Sequence, residues 1–269
     1  MALIRHRQPS AQRARPWAAA FLVIVLAFLW CAADSRGQFL DLPPTLPPAE
    51  YGNIVIDRTS QFNNIDPVVF SHWSHRQRFT CRVCHFEIEF NMRVNTSGIT
   101  EFANKSGRFC GTSGCHDGKA AFGHEKPHCD KCHSDDLEYG KEKFSKLSKF
   151  PKAKFGNGID WVKALEIRLI APVNFLTIKP PDVAVIKPLL LDAEWANIPP
   201  AIFSHKVHSQ WLDCNNCHPD IFNIQKKTTK HFAMNRILRR EFCGVCHLTV
   251  AFPMNDCKRC HSDKPDLKE

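Results

Sequence analysis

The chain has 269 residues, with 36 Lys plus Arg against 27 Asp plus Glu, a formal net charge of +9, and a high load of 13 Cys and 14 His. Four of the basic residues lie in the first 33 positions, where there is no acid. The remainder carries only +5, so the basic balance does not argue for a nucleic-acid partner.

In chain order, residues 1–33 read as a secretory signal peptide. Arg5, Arg7, Arg13 and Arg15 form a basic stretch, Ala18 to Trp30 is an unbroken apolar run short for a membrane span, and Ala33 closes a small-residue cleavage site. An uncleaved anchor is the alternative. Trp30 is too large for the residue that precedes a lipoprotein cysteine, so Cys31 is expected to leave with the signal. Residues 34–61, with the run DLPPTLPPAEYG, are expected to form an extended leader.

Residues 62–140 and 195–269 are two copies of one module. VFSHWSHRQRFTCRVCH (69–85) matches IFSHKVHSQWLDCNNCH (202–218) at a constant offset of 133, pairing His72 with His205, His75 with His208 and Cys81 with Cys214. The offset still holds at Cys110 and Cys243, in RFCG and EFCG. The first copy carries Cys81-x-x-Cys84-His85, a stretched Cys110-x-x-x-x-Cys115-His116, and Cys129-x-x-Cys132-His133. The second carries Cys214-x-x-Cys217-His218, Cys243-x-x-Cys246-His247 and Cys257-x-x-Cys260-His261.

Between the copies, residues 141–194 form a linker of different composition. It opens lysine-rich. Asp160 is a predicted N-cap for a short helix at WVKALEIRLI, and Pro172, Pro180, Pro181 and Pro188 then exclude a continuous helix or central strand. The linker is expected to lie extended along the two modules.

The Cys/His units admit two chemistries. Zinc needs four ligands per ion, and six separate units each ending in His do not group naturally into fours. In a c-type haem, two thiols add across the porphyrin vinyl groups and the adjacent imidazole ligates the iron. On one helical turn, residues i, i+3 and i+4 share a face, which suits that attachment. The reading favoured is six covalent haems, with His85, His116, His133, His218, His247 and His261 as proximal ligands. Thioether bonds then consume all twelve motif cysteines, which an oxidising compartment would otherwise turn to disulfides. Residues 68–133 would serve three haems with 66 residues. That is too little chain for an ordinary core, so the porphyrins are expected to be the core, packed by Phe70, Phe79, Phe90, Phe203 and Phe222.

Apart from the motif histidines and His6 in the signal, seven histidines remain for six distal positions: His72, His75, His124, His128, His205, His208 and His231. Ser71 is expected to cap a helix on which His72 and His75 stand one turn apart, serving two different haems. His205 and His208 would repeat the arrangement. The counterpart of His231 in the first copy is Gly98, so His124 is expected to supply the missing ligand. His128, Met92 and Met234 rank lower, the methionines being read first as packing.

The F-x-H-x-x-H element followed by C-x-x-C-H, three motifs per module and a C-x-x-x-x-C-H variant resemble the c(7)-type triheme cytochromes, relatives of the tetrahaem cytochrome c3 family, over about 62–133 and 195–262. The resemblance implies a haem-packed fold with few short helices, little regular secondary structure and bis-histidine haems. It also implies a periplasmic electron carrier of anaerobic respiration rather than an enzyme. Expected partners are other redox proteins: cytochromes, membrane quinol oxidoreductases or outer-membrane conduits. Contact with a membrane is expected only if the signal segment stays as an anchor. The competing reading is a multihaem reductase with one open or Met-ligated haem acting on a small inorganic substrate.

Overall fold

The computed structural model describes residues 41–182, 187–193, 198–222 and 232–263. The predicted signal peptide, residues 34–40 of the leader, the candidate ligand His231 and residues 264–269 lie outside the described residues.

Regular structure is sparse, as expected. Two antiparallel ribbons, β1 (Asn53–Ile56) with β2 (Val68–Ser71) and β3 (Leu189–Leu191) with β4 (Ala201–Phe203), each lead straight into a one-turn helix, α1 (His72–Arg76) or α5 (His205–Ser209). The other helices are α2 (Glu101–Lys105), α3 (Lys141–Phe144), α4 (Trp161–Glu166), α6 (Met234–Ile237), α7 (Gly244–His247) and α8 (Cys257–Cys260). None exceeds six residues, and among the described residues no helix is long and apolar enough to cross a membrane. Helices this short do not hold themselves together in water, so tertiary contacts must stabilise them.

The repeat is visible in the backbone. Ile54 pairs with Phe70 on one ribbon and Leu189 with Phe203 on the other. Helix α2 recurs as α6 at the same offset of 133. Ser204 caps α5 by accepting from the Val207 N–H at 3.1 Å. The equivalent Ser71 occupies the cap position of α1, but its hydroxyl makes no cap bond. β2 runs one residue further than β4, taking Ser71 into pairing opposite Asn53, while the backbone of the two cap residues is nearly the same.

The linker is more than a strap lying along the modules. Of the seven buried residues in the central apolar cluster, Leu147, Ile159, Trp161, Ala164 and Ile170 come from it, joined by Trp73 of the first copy and Trp211 of the second. Asp160 caps α4 by accepting from the Lys163 N–H, as its sequence predicts. The helix ends at Glu166, and Arg168 beyond it takes a left-handed conformation at φ 56°. Arg76 spans the seam, its guanidinium 5.4 Å from the Trp161 ring and 5.6 Å from the Trp211 ring, and it donates to Val250 O at 3.1 Å. The Tyr51 hydroxyl donates to Ala251 O at 2.6 Å. The described residues from 42 onward thus form one compact unit.

Candidate functional site

Four of the regular Cys/His motifs close a turn in which the histidine N–H donates to the carbonyl of the first cysteine: His133 to Cys129, His218 to Cys214, His247 to Cys243 and His261 to Cys257, at 2.8–3.0 Å. The stretched motif makes the same bond, His116 to Cys110 at 2.9 Å, with the two extra residues bulged out beneath it. Asp117 holds that bulge. Its carboxylate accepts from the N–H groups of Gly114, Lys119 and Ala120, and these bonds depress its pKa to about 2.

The turn before each second motif is strained in both copies. Phe109 and Phe242 take positive φ, 46° and 49°, which is unusual for bulky residues. Two residues on, Gly111 and Gly244 have no room for a side chain: a Cβ would fall 1.8 Å from Asn104 O and 1.9 Å from Ile237 O. The glycine lets the motif turn seat directly on helix α2 or α6.

All six motif histidines are oriented by the same device. Each Nδ1 sits on a backbone carbonyl: His85 on Phe90 at 2.8 Å, His116 on Phe122 at 3.1 Å, His133 on Asp66 at 2.6 Å, His218 on Phe222 at 2.7 Å, His247 on Phe252 at 2.9 Å and His261 on Pro199 at 2.7 Å. A carbonyl only accepts, so Nδ1 carries the proton and Nε2 is left with its lone pair, the form that binds metal. Asp66 and Pro199, which serve the third motif of each copy, are themselves 133 apart. Three of the non-motif histidines use the same device: His72 on Gly52 at 2.9 Å, His75 on Ser71 at 2.8 Å and His208 on Ser204 at 2.7 Å.

Motif and non-motif imidazoles then face one another. His72 and His85 have ring centroids 6.4 Å apart and planes within 8°. His75 and His116 are 6.1 Å apart, and His208 and His247, the equivalent pair of the second copy, 6.2 Å. These separations also leave room for a metal ion between the two rings. Two metal–nitrogen bonds of about 2 Å, plus the two rings themselves, span about 6 Å. Phe70 sets the first two rings, stacking on His75 at 4.4 Å and meeting His72 edge-on at 4.9 Å. Phe203 does the same for His208 and His205, at 4.4 and 4.8 Å. Burial drives the His72 pKa down to about 3 and that of His247 to about 4, and lowers those of His75, His85, His116 and His208, which keeps the rings neutral.

A cavity of about 2200 Å³ is lined by His72, His75, His85, His116, His133, His208 and His247, whereas His205, His218 and His261 are not on its lining. It is well above the 300–1,000 Å³ of a pocket for one small ligand. Every motif cysteine lines it except Cys214 and Cys257, as do Phe70, Phe79, Phe90, Phe203 and Phe222. Burial holds the Cys84, Cys110 and Cys246 thiols up at about 12. His124 lines the cavity with Nε2 buried and unpartnered, and His128 lines it with Nδ1 buried and unpartnered. Met92 is also on the lining, whereas Met234, at the start of α6, is not. These donors fit covalent haem: apolar walls, thiols on the lining and paired imidazoles whose Nε2 is left over once Nδ1 is tied to a carbonyl.

Two features were missed from sequence. The orienting carbonyls left a faint signal, a Phe four to six residues beyond four of the motif histidines. The buried network around Arg82 left none. Arg82 is 1% exposed; it donates to Glu87 at 2.6 Å, Asp213 at 3.0 Å and Asn174 O at 3.2 Å. The Glu87 carboxylate in turn accepts from the N–H groups of Leu176, Thr177 and Ile178, and these bonds hold its pKa below the usual carboxylate value despite burial.

Residues 68–134 and 201–262 each match the family described as cytochrome c7 and related cytochrome c. No match was found among the curated proteins. Among solved structures, the C-terminal hexaheme fragment of GSU1996 is similar at 20% identity, over 82% of this chain and 98% of that one, with a TM-score of 0.25. A likeness that loose carries no argument.

Proposed function

We propose that this chain, a multihaem protein of the cytochrome c7 family with two c7-like domains, is an exported hexahaem electron carrier that relays electrons between redox proteins in anaerobic respiration. The observation that carries the reading is the set of facing imidazoles 6.1–6.4 Å apart, each with Nδ1 tied to a carbonyl. Closed axial positions on both sides of the iron suit electron transfer, whereas a reductase needs one position open.

In this reading the six cysteine pairs hold six haems by thioether bonds. The imidazole pairs that would hold haem irons are His72 with His85, His75 with His116 and His208 with His247, and the repeat would extend the scheme to His205 with His218. For the third haem of each copy, His133 or His261 would be one ligand, and the ligand counting leaves His124 and His231 to supply the other. Bound haem supplies one-electron chemistry. The chain's own residues hold the imidazoles neutral and aimed, through Phe90, Phe122, Phe222, Phe252, Asp66 and Pro199, and exclude water with the phenylalanines of the cavity. Periplasmic location follows from the signal-peptide reading.

Intact-mass analysis and redox-titrated spectra of the exported protein test this. The expected result is six covalent haems, all low-spin in both oxidation states and inert to carbon monoxide. Bound zinc with titratable thiols would refute the cofactor, and a haem that takes up carbon monoxide in the unaltered protein would favour the reductase.

A further inference from the structure

The first third of the linker lies outside both matched segments and carries six lysines, Lys141, Lys143, Lys146, Lys149, Lys152 and Lys154, against one acid, Glu142. All six are exposed. Neutralising haem propionates would require them to face the cavity, but only Lys143 lines it. Lys141 is engaged by Glu138 at 3.1 Å. Lys146, Lys149 and Lys152 make no ion pair among the described residues.

The segment is held firmly from behind. Leu147 is 4% exposed within the central cluster, and Phe144 and Phe150 pack against the same cluster. The Phe144 ring meets Trp73 at 5.1 Å and Phe150 meets Trp161 at 5.6 Å. The positive charges are therefore displayed on an anchored backbone, where less ordering entropy is lost when a partner binds. The same segment borders the cofactor cavity, because Lys143, Ala153, Phe155 and Gly156 line it.

We infer that the face carrying Lys146, Lys149 and Lys152 is the docking surface for an acidic redox protein, an inference that rests on the electron-carrier reading. Charge complementarity would steer such a partner and hold it beside the cavity. An anionic bilayer fits less well. A surface-lying segment binds lipid by burying its apolar side chains, and here Phe144, Leu147 and Phe150 are already turned into the protein.

The test uses the haem-loaded full chain and, as probe, a reduced acidic plant-type ferredoxin. Each productive encounter moves one electron from the ferredoxin, which is oxidised, to the cytochrome, which is reduced. Stopped-flow rates are compared for the unaltered protein, K146E/K149E/K152E, and a control of equal net charge altered at exposed lysines elsewhere, K119E/K179E/K187E. The expected result at low ionic strength is a loss of roughly tenfold or more for the patch variant alone, vanishing at high salt. Equal rates in both variants, or no loss in either, would overturn the docking surface. Binding of phosphatidylglycerol vesicles lost only in the patch variant, with the ferredoxin rate unchanged, would assign the surface to lipid and overturn it too. Reduction by dithionite separates the two readings. A protein without reducible haem sinks the electron-carrier function, whereas equal dithionite reduction in all three proteins confines any failure to the docking surface.

Discussion

Arg82 Nε of the first copy lies 3.0 Å from Asp213 Oδ2 of the second, inside the protein, with the two side chains 2% and 9% exposed. The same guanidinium holds Glu87 at 2.6 Å, and Glu87 receives three backbone N–H groups of the linker. One buried cation therefore joins first module, linker and second module. Removing it takes the counter-charge from two largely buried carboxylates, and breaking a buried pair in this way typically costs about 3–5 kcal/mol. Arg82→Ala is expected to lower the thermal midpoint of the holoprotein markedly, and Arg82→Lys to recover little, because an ammonium cannot reproduce the planar fork. A midpoint within error of the unaltered protein would show that the network is not a staple.

The apolar seam makes a parallel prediction. Trp161 is 8% exposed and shares its cluster with Trp73 and Trp211. Trp161→Ala is expected to destabilise the protein by about 3–5 kcal/mol and to do so in one transition covering both haem sets, monitored by Soret absorbance. Two separate transitions in the unaltered protein would mean that the modules unfold independently.

At Gly111 and Gly244 the predicted effect is local. A Cβ would lie within 2 Å of a helix carbonyl, so the motif turn must lift away. Alanine at either site is expected to cost about 1–3 kcal/mol and to leave the adjacent haem, at Cys110/Cys115 or Cys243/Cys246, under-attached by mass spectrometry. Full loading with an unchanged midpoint would show that the turn relaxes freely.

For the odd ligand of the first copy, the buried unpartnered Nε2 of His124 is the observation that matters. His124→Ala is expected to leave one haem high-spin, or open to carbon monoxide when reduced, with the remaining haems unchanged. If His128→Ala or Met92→Ala has that effect and His124→Ala does not, the assignment passes to the other residue.

The haem motifs and the doubling of the chain were legible in the sequence because both are set by covalent spacing. Cys129, Cys132 and His133 meet on one turn set by their spacing, and an offset of 133 is read by comparing letters. The Asp160 cap was legible for the same local reason. Which imidazole faces which was not. His75 reaches His116 across 41 residues and His208 reaches His247 across 39, distances that only the packed chain closes. The linker misled in a related way. Its prolines exclude a continuous helix or central strand, but a chain of short pieces such as Lys141–Phe144, Trp161–Glu166 and Leu189–Leu191 can still bury its apolar residues, and whether Trp161 and Leu147 met solvent or core depended on Trp73 and Trp211 arriving from far along the chain. Arg82 looks like any surface arginine in a motif spacer. Its burial is decided by tertiary structure alone, because a charge enters a protein interior only where opposite charges from distant segments meet it, here from Asp213 as well as from nearby Glu87.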